Sequence, residues 1–81
     1  MFGSSSDERP PLERAQEAAS GLTAGTWESV EALALLAIEV QGPEGARLYE
    51  LARTKAAKLK SGDWSSVRAL TLLARAGREL A

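Results

Sequence analysis

Histidine and cysteine are both absent from the 81 residues of this chain. That removes the commonest general base and metal ligand and all thiolate chemistry. Carboxylates and serines are what remain. Glu28 and Glu31 stand about one helical turn apart, with Glu39 further along the same segment. Carboxylates at such spacing can share a metal ion or divide acid and base roles, but no second ligand set is spaced to face them. Ser65 and Ser66 lack a basic partner to activate a hydroxyl, and read as first-turn helix residues. There is no glycine-rich phosphate loop and no dinucleotide fingerprint. These patterns point away from an enzyme and call for no cofactor, no metal and no small-molecule substrate.

Trp27, Trp64 and a set of cations suggest binding instead. An exposed tryptophan can stack bases or grip a peptide. Yet both tryptophans open a helix in the same local pattern, which favours packing: each is expected to close its hairpin against the preceding helix. Charge is uneven although the net value is only −1. Residues 1–44 hold eight acids and two bases, a balance of −6; residues 45–81 hold eight bases and three acids, a balance of +5. A basic half could attract nucleic acid or an acidic partner. Nucleic acid is disfavoured, because Arg47, Lys55 and Lys58 on one side and Arg53 and Lys60 on the other flank an apolar stripe. Long cationic side chains cover a core edge in this way. Charge reversal at Lys55 and Lys58 is the test of that reading. The opposed halves can also attract each other, within one chain or between two.

The elements follow from a repeat. Gly25–Val40 and Gly62–Gly77 align at an offset of 37 residues, with nine identical pairs in the thirteen positions from Gly25 to Ala37. The chain is expected to be a duplicated helical hairpin, one domain over residues 11–81 with repeats 11–42 and 43–81. Met1–Pro10 reads as a disordered tail. Helix 1 is predicted from Pro11 to Ser20 with an apolar stripe of Leu12, Ala15, Ala19 and Leu22; Gly21 and Gly25 bracket its exit turn. Helix 2 is predicted to start at a Thr26 cap and to bury Val30, Leu33, Leu36, Ala37 and Val40. Gln41-Gly42-Pro43 ends it. Helix 3 is predicted from Pro43 to about Lys60, and helix 4 from an Asp63 cap with Val67, Leu70, Leu73, Ala74, Gly77 and Leu80 turned inward. Arg68, Arg75 and Glu79 then point outward, with Leu72 among them.

The Gly-x-Trp-x-x-Val pattern, with Ala37 and Ala74 ten residues after each tryptophan, resembles the second half of a tetratricopeptide repeat. The likeness covers Gly25–Ala37 and Gly62–Ala74. It implies stacked helical hairpins and a role in peptide binding, and it carries over no ligand residues. The first helices, from Pro11 and Pro43, lack that family's aromatic and Leu-Gly signature, and the period here is longer.

The fold expectation is all-α: four helices in two hairpins, packed as a small bundle or a short solenoid. A chain this short buries only about 60% of its unfolded surface, so it gains from a partner. Leu35, Ile38 and Leu72 lie off the main stripes and mark an interface, with Arg68 and Arg75 beside it. The functional expectation is therefore a non-enzymatic module that pairs as a homodimer through helices 2 and 4, acidic first hairpin against the partner's basic second. The alternatives are a monomeric adaptor holding a peptide or helix in an apolar groove, and a small regulator contacting nucleic acid through its second hairpin. The longest apolar run, Ala32–Ile38, is far short of the roughly 20 residues of a membrane helix. No secretory signal is recognisable, so a cytoplasmic setting is expected.

Overall fold

The computed structural model describes residues 8–21 and 25–81. The first seven residues of the tail expected over Met1–Pro10, the Leu22 end of the first stripe and the middle of the first turn lie outside the described residues. The protein is all-α, with four helices: α1 (Pro11–Ser20), α2 (Trp27–Val40), α3 (Gly42–Ala57) and α4 (Trp64–Leu80).

Local chemistry accounts for the boundaries. Pro11 sits at the start of α1, where a missing N–H is harmless. Thr26 and Asp63 each close a reciprocal capping box. Thr26 Oγ1 accepts from Ser29 N at 3.2 Å while Thr26 N donates to Ser29 Oγ at 2.8 Å. In the same way Asp63 Oδ1 accepts from Ser66 N at 2.9 Å and Asp63 N donates to Ser66 Oγ at 3.3 Å. Each box satisfies helix-start donors that would otherwise lack partners. Gln41 joins α2 to α3 in a single residue, with φ at 61°. That backbone region is strained for any residue but glycine.

Helix α3 stops at Ala57, short of the expected Lys60. Its last turn tightens, with Lys58 N and Leu59 N donating to the oxygens of Lys55 and Ala56 at 3.1 Å. The freed Lys60 carbonyl accepts a bond from Trp27 Nε1 at 2.8 Å.

Helix α2 is the centre of the assembly. It packs broadly on both α3 and α4, which meet each other less extensively, while α1 touches only α2 among the helices. The buried core joins Val30, Leu33, Ala34, Leu36 and Ala37 of α2 to Leu48 and Ala52 of α3 and to Ala69, Leu73 and Ala76 of α4. No α1 residue is fully buried. Two glycines permit close approach. A Cβ on Gly45 would stand 2.8 Å from the Ala37 carbonyl oxygen, and one on Gly77 would stand 2.8 Å from the Tyr49 hydroxyl.

The phase of α4 corrects the sequence reading. Ser66, Ala69, Leu73 and Ala76 face the core, and Leu72 is half-buried against it. Val67, Leu70 and Ala74 are exposed. The small Ser66, Ala69 and Ala76 let α4 lie close on α2, and this narrow stripe fixes the helix's rotation. The face carrying Val67 therefore turns outward.

Candidate interaction surfaces

Apolar side chains left on the surface fall into two groups. The first is a groove of about 680 Å³ bounded by α1, α2 and the edge of α3. Leu12 and Ala15 form its α1 wall, Ala32, Leu35 and Leu36 its α2 floor, and Leu51 its α3 edge. It exists because α1 rests on α2 alone and leaves the α2 face beside it uncovered. Leu35 is 44% exposed there. Ser29 and Glu39 are polar residues at its margin, and the Lys55 side chain reaches it from α3.

The second group lies on α4. Trp64 is 85% exposed, Val67 53% and Leu70 41%. These residues sit at successive turns of one helix face, with Ala74 following them, so they form a continuous strip. Arg78 lies on the same side by helical phase, which keeps that strip's margin basic.

Each residue singled out in the sequence now has a place. Leu35 is exposed in the groove. Ile38 and Leu72, expected on the outside, are half-buried and pack against the core. Trp27 is half-buried and packs against the core, and its indole also reaches the turn before α4 through the Lys60 carbonyl. Trp64 departs from its expected packing role, because among the described residues nothing covers it. Arg68 Nε pairs with Glu31 at 2.6 Å, tying α4 to α2, and remains 75% exposed. Arg75 is exposed.

The carboxylates are equally dispersed. Glu31 is engaged in its seam with Arg68, Glu28 is exposed on the first turn of α2, and Glu39 is exposed at the groove. Among the described residues no three acids converge as a metal site. Ser66 is buried and spends its hydroxyl on the capping box, donating to Asp63 O at 2.6 Å. Several cations of the second half are neutralised locally: Arg47 pairs with Glu44, and Arg53 with Glu50 at 3.3 Å. Arg53 also lies over the Tyr49 ring, 5.8 Å from its centroid. Among the described residues no helix is long and apolar enough to cross a membrane.

Sequence reasoning missed Trp64, Val67 and Leu70 as surface residues. Their identity with Trp27, Val30 and Leu33 suggested burial, and only the packing of α4 shows otherwise. No family model, curated protein or solved structure matches this chain.

Proposed function

We propose that this chain is a non-enzymatic protein–protein interaction module that self-associates through the free apolar faces of α2 and α4. One observation carries the reading: the described residues leave two separate apolar surfaces open, on a core that is small to begin with. Exposed apolar area of this kind costs free energy in water and is regained on association. Opposite charge on the two halves adds attraction between copies. The likeness to tetratricopeptide hairpins at Gly25–Ala37 and Gly62–Ala74 agrees with a binding role.

The test is sedimentation over a wide concentration range at low and high salt. Concentration-dependent growth in mass is expected. Growth that survives high salt assigns the contact to apolar burial, and growth lost in salt assigns it to charge. A mass that stays monomeric throughout overturns the reading. The volume and lining of the groove favour one second reading, in which it holds a helix or extended peptide of another protein. A permanent monomer that binds an apolar dye would move the proposal there.

A further inference from the structure

Aligning the two halves at their 37-residue offset shows that the two open surfaces are complementary in kind. Val30 is completely buried, and its counterpart Val67 is half exposed. Leu33 and Ala34 are buried, whereas Leu70 and Thr71 are exposed. Ala37 is buried and Ala74 is not. The α2 face bearing Val30, Leu33, Ala34 and Ala37 is the one that α3 and α4 cover. Among the described residues, nothing covers the same register on α4.

The opposite comparison is just as regular. Helix α4 meets α2 through Ser66, Ala69, Leu72 and Leu73. The same register on α2 is Ser29, Ala32, Leu35 and Leu36, all lining the groove. Continuing the offset into the first helices pairs Ala52, completely buried, with Ala15 in the groove wall. Much of what the second half uses to receive α2 the first half therefore leaves exposed, Ala15, Ala32 and Leu35 above all, while Leu36 stays in the core.

We propose that copies of this chain associate head to tail, the α4 strip of one copy lying in the α1–α2 groove of the next as α2 lies between α3 and α4 within a chain. This inference rests on the self-association reading and specifies its geometry. The occupant is a second copy because the contact already made within the chain supplies the template: most of the residue types recur in the same register, with Thr71 in place of Ala34 and Pro11 in place of Leu48. Charge agrees with it. The junction brings the +5 half of one copy against the −6 half of its neighbour. Glu31 and Arg68 are each other's counterparts at the offset, so the ion pair they form within the chain recurs between copies, Arg68 of one facing Glu31 of the next. Such a contact is heterologous: it leaves a free strip at one end and a free groove at the other, and it propagates or closes into a ring. A closed dimer in which like faces pair predicts a different outcome.

Complementary blocking separates the two. Val67→Glu places a charge on the strip, and Ala32→Glu places one in the groove; both positions are exposed, and circular dichroism confirms that each variant remains helical. Leu70→Glu and Leu35→Glu repeat the test at second positions. Wild type is expected to give a series of species larger than a dimer as concentration rises. Either variant alone is expected to sediment as a monomer. Mixed in equal amounts they are expected to double in mass and stop there, because Ala32→Glu keeps a working strip and Val67→Glu keeps a working groove. In a Trp27→Phe background, Trp64 emission should shift to the blue on association and hold still in Val67→Glu. Self-pairing of either single variant overturns the head-to-tail geometry in favour of like faces. A mixture that stays monomeric while wild type associates overturns it too, and leaves self-association standing. A wild type that never associates removes the underlying reading as well.

Discussion

Valine at the same repeat position in two environments gives the sharpest check on this architecture. Val30 has no exposed surface and Val67 has 53%. Val30→Ala removes two methyl groups from a closed core, about 1.6 kcal/mol of transfer free energy at ~0.8 kcal/mol per buried carbon. The cavity left behind raises the loss by roughly 1 kcal/mol. Alanine's better helix propensity returns about 0.5 kcal/mol, leaving a net loss near 2 kcal/mol. Val67→Ala forfeits only about half of the transfer term and leaves no cavity, so after the same propensity gain its effect stays under about 0.5 kcal/mol. The assay is urea unfolding at protein concentrations low enough to keep the chain monomeric. A loss of 2 kcal/mol should also lower the melting temperature by roughly 10 °C in a domain of this size. Equal losses at the two positions would mean that α4 is covered in the monomer and offers no free strip to a second copy. Raising the concentration until copies associate should open a second gap, with Val67→Ala now weaker than wild type.

Three further outcomes follow from particular contacts. Gly45→Ala pushes a Cβ onto the Ala37 backbone carbonyl, which cannot move alone, so a loss of about 1 to 3 kcal/mol is expected. Gly77→Ala meets only the Tyr49 hydroxyl, the far end of a side chain that can swing aside, and the helix gain of about 1 kcal/mol should leave it near neutral; thermal melts of the pair give the comparison, and a larger loss at Gly77 would refute it. Trp27→Phe deletes the donor to Lys60 O and should cost about 1 kcal/mol, whereas Trp64→Phe should leave dilute-protein stability unchanged. The Arg47 guanidinium hydrogen-bonds the Glu44 carboxylate and holds its pKa below the ordinary glutamate value. The folded value lies below the unfolded one, so the small stabilisation is present above roughly pH 4 and fades as pH falls through the folded value. Urea unfolding of Glu44→Gln should differ from wild type near pH 6 and converge with it in acid; a gap that widens in acid would reverse the sign.

The helix boundaries were legible because they are set locally. Thr26, Asp63, Pro11 and the Gln41-Gly42-Pro43 junction act through the chemistry of their own few residues, and neither packing nor partners are needed to read them. The α2 core stripe was legible for another reason. A helix apolar around most of its circumference must be central, and α2 is the helix on which α3 and α4 pack. The end of α3 was less readable, since Lys60 is withdrawn from the helix and its carbonyl is taken by an indole from 33 positions away.

Helix α4 shows where periodicity stops being informative. Its sequence supports two apolar stripes: Val67, Leu70 and Ala74, and Ala69, Leu72, Leu73 and Ala76. The first has the larger β-branched and aromatic company, so hydropathy alone turns it inward. The second sets the small Ala69 and Ala76 beside its leucines, and close approach to α2 selects it. A stripe matching α2 residue for residue would be costly to leave in water if the monomer were the only state to satisfy. In a single chain the two stripes compete for one partner helix, and only one can win. Two stripes on one helix are compatible with low free energy when two neighbours exist, one within the chain and one beyond it. The misread phase of α4 and the exposed Trp64 thus have a common physical origin: the helix carries two apolar stripes, and among the described residues only the one bearing Ala69, Leu73 and Ala76 is covered.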